Sequence, residues 1–561
     1  MEPQTVVFTA RKIITMDSDV PEATAVAVRG GCIVAVGSVD GVTSGLGECV
    51  LDDTLAEHVV IAGLIDQHLH PLLGATTLVT EVIATEDWHL PGRTFAAAMS
   101  EQEYRDRLAM AEADRAGTDE WLVSWGYHPL WHGELNRAVL DGISTTRPIV
   151  IWHRSCHEFF LNSAACDAMG LTEEAMAGLG RMSDMIDWEA GHWWESGTGA
   201  VAGPIFAGFF TPERLMRGLA QMVAYLHGNG VTAINEPGIM WDIEPWALYQ
   251  AILGADATPF GSTFLVDART QADKGMAAED VVADAEAQVA RASEGKVRLL
   301  NKAVKFFADG AIISQLMQMR EPYLDDDGQP DPGHTGEWMM DPAVFAEYAR
   351  AYWNAGWQIH THVNGDAGLD MMLDILEACH RATPREDHRS VIVHFANSTE
   401  EQVARIAALG AIVSANPYYP VGFADKYAAQ GLGPERADSM VRARSVLDHG
   451  VRLSYHSDLP MAPAEPLAFV DFGVNRRTPS GRVAGPEQRI TVHEALRAVT
   501  IEAAYSWRLE DELGSVTPGK VANFTVLDAD PHEVDPADVR SIGVVGVVFE
   551  GQWRPVPTAE P

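Results

Sequence analysis

The stretch Leu64-Ile65-Asp66-Gln67-His68-Leu69-His70 decides the fold. IAGLID (61–66) reads as a short apolar strand, and PLLG (71–74) leaves the sheet. Residues two apart on a strand face the same side, so His68 and His70 can reach one cation. The pair stands at the strand's C-terminal end, where parallel barrels build their active sites. Alone, His-x-His says little in a chain with 20 histidines. Its weight comes from similar strand ends further along.

NKAVKFFADG (301–310) sets Lys305 inside an apolar strand, where an unpaired ammonium is costly. WQIHTHVNGDAG (357–368) ends a strand on His362, SVIVHFANS (390–398) ends one on His394, and VRLSYHSDLP (451–460) carries Asp458 just past another. The separations are 57 residues from Lys305 to His362, 32 to His394 and 64 to Asp458. At about 30 residues per βα unit, these positions fall on strands 1, 4, 5, 6 and 8 of an eight-stranded barrel. The 237 residues between His68 and Lys305 exceed three such units. An insertion over about 85–225 accounts for the excess. It is rich in tryptophan (Trp88, Trp121, Trp125, Trp131, Trp152, Trp188, Trp193, Trp194). It reads either as a cover for a pocket or as a packing subdomain.

Short β-branched runs separated by Gly, Pro and Asp turns occupy the first sixty residues, and similar texture returns in KVANFTVLDAD (520–530) and SIGVVGVVFEGQWRPV (541–556). Arg29-Gly30-Gly31 between two apolar runs signals a hairpin. The expected fold is α/β. An eight-stranded barrel of βα units spans 63–510, and both termini (1–62 and 511–561) meet in one small β-domain beside it.

The apolar fraction of 47% and the charged fraction of 21% are those of a folded globular chain. Asp and Glu number 79 against 40 Lys and Arg, a formal charge of −39. So acidic a surface repels phosphate backbones and anionic lipid, which argues against nucleic-acid and membrane partners. The five cysteines are scattered with no Cys-x-x-Cys pair, as expected of reduced thiols. No signal peptide and no run of about 18 apolar residues is evident. A cytoplasmic location is therefore expected. Neither a P-loop nor a G-x-G-x-x-G opening a helix after a first strand is found, which disfavours a nucleotide enzyme.

Four His, one Asp and one strand-buried Lys form a set whose nitrogen and oxygen donors suit Zn²⁺ or a similar divalent ion. An ammonium cannot ligate. CO₂ added to Lys305 would give a carbamate, an anionic bridge between two cations, and the buried charge would then be neutralised.

With these motifs the chain resembles the amidohydrolase superfamily, and within it amidohydrolase family 3, the group of YtcJ-like and formamide-deformylase-like hydrolases. The likeness runs from ARKIITMD and RGGCIVAVG through LIDQHLH, CHEFFLNSAACDAMG, VKFFADG, HVNGDAG, IVHFANS and HSDLP to ELGSVTPGKVANFTVLD. The resemblance implies a distorted TIM (β/α)8 barrel with a small β-sandwich built from both termini. It also implies His68, His70 and Asp458 on one metal ion, His362 and His394 on a second, and carboxylated Lys305 between them. It implies hydrolysis of a non-peptide C–N bond in a small amide, an N-formyl or N-acyl amine, by a metal-bound hydroxide. Asp458 and Lys305 are the catalytic residues in that scheme. The cofactors implied are two divalent ions, Zn²⁺ by preference, and a CO₂-derived carbamate. The partners expected are a small-molecule amide and, at most, a second copy of the chain. Lactone or ester hydrolysis, deamination, decarboxylation and an inactive binding protein are the competing readings.

Two features depart from the family pattern. After VKFFADG the chain reads AIISQLMQM (311–319), so Gln315 stands near where the family carries an Arg. Before Asp458 the family more often has a Gly, and here His456 precedes Ser457. Further candidates for the substrate pocket are His157, Tyr127, Trp125, Glu236 and Gln315, and Asp366 is a candidate partner of His362. Structural roles compete at each: a cap and helix beside His157, core packing for Trp125 and Tyr127, a turn for Glu236.

Overall fold

A computed structural model describes residues 3–241, 245–325 and 327–557. The chain divides into two compact units. One comprises residues up to 70 together with those from 226 onward; the other is Pro71–Tyr225.

The first unit holds eight parallel strands in sequential order. They are β1 (Leu64–Asp66), β2 (Val231–Ile239), β3 (Gly261–Asp267), β4 (Val297–Phe307), β5 (Gln358–Val363), β6 (Val391–His394), β7 (Ile412–Ala415) and β8 (Leu453–Tyr455). His68 follows β1, Lys305 lies in β4, His362 and His394 lie in β5 and β6, and Asp458 follows β8. Strand numbers 1, 4, 5, 6 and 8, inferred from spacing, are those observed. Helices such as Asp366–Ala382 and Glu400–Leu409 cover the strands. The second of these begins in a capping box between Thr399 and Gln402, which satisfies two orphan amides at its start.

The barrel is distorted on one side only. Register shifts interrupt the β1–β2, β2–β3 and β3–β4 pairings. From β4 round to β8 the ladders run without a shift. Such irregularities bend a strand and re-aim its side chains, and the shift in β2 falls just after Glu236.

No ladder joins β1 to β8 among the described residues; the barrel is closed past the strand ends. Asp458 N–H donates to the His68 carbonyl (2.8 Å), and His70 N–H donates to the Leu459 carbonyl (3.1 Å). The buried Asp66 carboxylate accepts from Ser457 N–H (3.0 Å) and from the Ser457 hydroxyl (2.5 Å). Four hydrogen bonds thus knit the segment bearing His68 and His70 to the one bearing Asp458.

Beside the barrel, both termini contribute to one branched sheet of eight strands. Thr5–Ile14 pairs with Glu22–Arg29, Val50–Asp52 and Val59–Ala62, and Val59–Ala62 pairs with Phe524–Leu527 from the far end of the chain. The hairpin expected at Arg29-Gly30-Gly31 is present. Arg29 faces Cys32, and the two glycines between them take φ of 59° and 82°, the left-handed values a two-residue turn of this kind requires.

The second unit, 71–225, begins directly after His70, earlier than the sequence suggested. It has its own six-stranded sheet and a core of Tyr104, Leu108, Leu122, Tyr127, Leu140, Ile149, Ile151 and Phe160. Among the described residues, no helix is long and apolar enough to cross a membrane.

Ser457→Ala removes the hydroxyl that Asp66 accepts and so takes one hydrogen bond from a buried carboxylate, at a cost of about 1–3 kcal/mol. Denaturant unfolding of the metal-free protein should show that loss. An unchanged midpoint would mean that the side chains of the seam do not carry its closure.

Candidate metal centre

Each donor reaches the top of the barrel because its strand stops there. The polypeptide turns out of β1 and β8 just where the seam bonds hold it. His68 Nε2 and His70 Nε2 each lie 3.1 Å from the same oxygen, Asp458 Oδ1. Around a cation with 2.0–2.1 Å bonds, neighbouring tetrahedral ligands are about 3.3 Å apart, close to each of these two distances, and all three donor atoms lie within 4.8 Å of one another. His394 Nδ1 lies 3.8 Å from the other oxygen, Asp458 Oδ2. The ring of His362 is 4.4 Å from that of His394, centroid to centroid. The structure therefore gathers His68, His70, His394 and Asp458 closely, with His362 beside His394.

Lys305 is 1% exposed. Burial pushes its amine down to about 8, against the pull of Asp458, Glu236 and Asp267. Its charge in turn bears on His68, His394 and His456, whose imidazoles burial already holds well below their usual range. Those rings are neutral at pH 7, the state in which a nitrogen lone pair can ligate. His70 behaves differently. Burial alone would lower it, but the charge of Glu236 and the hydrogen bonds His70 donates to Asp458 and Glu236 raise it to about 10. A cation between His70 Nε2 and Asp458 would displace the proton that this pair of carboxylates favours. The donor set fits a divalent ion of the zinc type: imidazoles and a carboxylate, buried and mutually close.

Around these donors sits a supporting layer. Glu236, at the irregular end of β2, accepts from His70 Nδ1 (3.0 Å) and from Gly238 N–H (3.1 Å). It holds the back of an imidazole rather than facing open space. Asn364 Nδ2 meets His362 Nε2 at 3.0 Å. The loop after His362 is pinned by Asp309, whose carboxylate accepts from the backbone N–H of Asn364 (2.9 Å), Gly365 (2.7 Å) and Gln318 (2.9 Å).

The remaining residues that the sequence singles out have different surroundings. Asp366 accepts from Arg320 N–H (2.9 Å) in the first turn of its helix, and Asn364 Nδ2 stands 3.0 Å from His362 Nε2. Gln315 adopts a left-handed φ of 54°, and its carbonyl accepts from His334 Nε2 (2.7 Å). Trp125 and Tyr127 are core residues of the second unit. Trp125 packs edge-on against Trp88, while the Tyr127 hydroxyl donates to the Gly133 carbonyl (2.6 Å). Their apolar bodies are spent on that core. His157 Nδ1 pairs with Glu195 Oε2 at 3.1 Å and is about a third exposed. Nearby Asn162 caps the helix Ser163–Ala168 and bonds Ile149 N–H.

The sequence motifs do not mark His456 as a donor. It is fully buried, its ring stacks on His68 at 4.6 Å, and its Nε2 lies 3.2 Å from His394 Nδ1. A signal is present all the same: His456 and Asp458 repeat the spacing of His68 and His70.

Comparison with known proteins agrees with this geometry. A model of the amidohydrolase family matches residues 55–554. This chain belongs to the amidohydrolase family. An Arabidopsis thaliana relative, LONG AFTER FAR-RED 3, is 27% identical over 94% of this chain and 88% of its own length. N-substituted formamide deformylase of Arthrobacter pascens is 26% identical over 96% of each. A metal-dependent hydrolase from Pyrococcus horikoshii shares the fold, with a TM-score of 0.71 at 20% identity, covering 95% of this chain and 99% of that one. Family membership and the gathered donors together make this amidohydrolase a metal-dependent hydrolase.

Glu236→Gln keeps the shape of the side chain but removes the charge behind His70. Loss of such a carboxylate costs about 10–100-fold in metal affinity. Chelator competition with Zn²⁺ should show a drop of that size; unchanged affinity would mean that Glu236 does not tune His70.

Proposed function

We propose that this amidohydrolase hydrolyses a non-peptide C–N bond of a small amide, an N-formyl or N-acyl amine, at a centre of two divalent ions, Zn²⁺ by preference. The observation that carries the reading is the meeting of His68 Nε2 and His70 Nε2 on Asp458 Oδ1, 3.1 Å each, at the C-terminal end of the barrel. A relative of full length with an amide-hydrolysing name supports it.

When bound, divalent ions there supply Lewis acidity and make a water acidic enough to ionise near neutral pH. His68, His70 and Asp458 would hold one ion, and His362 and His394 would hold the other. Lys305, depressed to about 8, has a substantial neutral fraction at physiological pH. Its Nζ would add CO₂ with loss of one proton, and the resulting carbamate would supply anionic oxygen donors to the ions. Glu236 fixes His70 in the orientation that presents Nε2 to Asp458. Asp458 takes the proton of the attacking water and returns it to the leaving nitrogen, so the amine departs neutral. The carbonyl carbon passes from the nitrogen to the water oxygen, and acid and amine are the products.

A panel of formamides, N-acyl amines, esters and lactones, run against chelator-stripped protein as control, tests the reading. Hydrolysis of an amide that vanishes on stripping and returns with Zn²⁺ and bicarbonate is expected. Asp458→Asn should lower kcat by at least about 10²–10⁴-fold, the range of general acid–base catalysis, with the fold intact by circular dichroism. Turnover confined to esters or lactones would reassign the bond, and full activity in Asp458→Asn would overturn the mechanism.

A further inference from the structure

We infer that His456 is a ligand of the metal centre, an imidazole acting beside His394, beyond the donors that the family motifs supply. The inference rests on the proposed centre and adds to it. His68, His394 and His456 each offer a nitrogen, and these lie within 4.8 Å of one another. Two of them, His394 Nδ1 and His456 Nε2, are 3.2 Å apart. That is close to the roughly 3.3 Å expected between adjacent ligands on a cation with bonds of 2.0–2.1 Å.

Which nitrogen of His456 carries the proton follows from its partners. The Ser414 hydroxyl has one proton, which it donates to Gln67 Oε1, and Ser454 donates to the same oxygen (3.2 Å). Ser414 Oγ can then only accept, and the donor facing it at 2.8 Å is His456 Nδ1. With Nδ1 protonated, Nε2 keeps its lone pair and points it toward His394. This is the arrangement in which a ligating histidine is held by a hydrogen bond from its other nitrogen. Stacking of the His456 ring on His68, at 4.6 Å and 18°, fixes its plane as well. The relay Gln67–Ser414–His456 lies on β7 and the ends of β1 and β8, so the same seam that holds His68 and Asp458 holds this residue.

A nitrogen-rich donor set selects the ions that imidazole suits, Zn²⁺, Co²⁺ or Ni²⁺, over the oxygen-seeking Mg²⁺ and Mn²⁺. The test uses the full chain, stripped with chelator and reloaded with Co²⁺, read by its visible d–d spectrum and by chelator competition. The expected result is that His456→Ala weakens Co²⁺ binding at least tenfold, changes the spectrum, and narrows the preference for Co²⁺ over Mn²⁺. Ser414→Ala leaves the imidazole in place but frees its tautomer, and should weaken Co²⁺ binding by about tenfold. It decides the matter if His456→Ala does not fold. Wild-type affinity, spectrum and ion preference in folded His456→Ala, or in Ser414→Ala where His456→Ala does not fold, would overturn the role of His456 while leaving the centre standing. Failure of the wild-type chain to bind Co²⁺ would instead overturn the centre itself, and this inference with it.

Discussion

The seam between the first and last strands of the barrel is the constraint on which the rest depends. An eight-stranded parallel sheet leaves two edges, and unpaired edge groups must find partners. Here the ladder stops short, and the closing bonds come from residues just beyond β1 and β8: Asp458 to His68, His70 to Leu459, and Ser457 to Asp66. The backbone that closes the barrel is therefore the backbone that carries the donors. A change that loosened the seam would separate His68 and His70 from Asp458 by the same movement.

Burial is the second constraint. Taking imidazoles, a lysine and carboxylates out of water together is costly unless their charges compensate. Within the barrel, burial lowers His68, His394 and His456, lowers Lys305 to about 8 and raises Asp66 to about 7. His70 escapes this trend only because Glu236 and Asp458 stand on either side of it. The neutral imidazoles of His68 and His394 beside the Asp458 carboxylate offer lone pairs and negative charge to a divalent cation, which would take over the charge that the His70 proton now carries. The same logic gives the lysine its place: as a carbamate it would carry negative charge where the cations need it.

Much of the barrel is legible in the sequence because its signals are local. Strand-end histidines and a buried lysine mark the barrel strands, with 32 residues from His362 to His394 for one βα unit and 64 from His394 to Asp458 for two, while a long loop after β4 stretches a single step to 57; paired glycines mark the terminal hairpin, where both take left-handed φ. Glu236 can be picked out as a strand end, but its grip on His70 spans 166 residues and no local pattern shows it. His456 stands out in the sequence only as a departure from a motif, because its neighbours Ser414, His394 and His68 come from three other strands or strand ends. Trp125 and Tyr127 draw notice for their aromatic surfaces. The density of aromatic residues over 85–225 reflects a unit that must fill a core of its own.

Elemental mass spectrometry of the protein, after incubation with Zn²⁺ and bicarbonate and removal of free ions, tests the central claim most directly. Close to two zinc ions per chain is the predicted result. Protein that retains none, while folded, would contradict a metal centre at the seam.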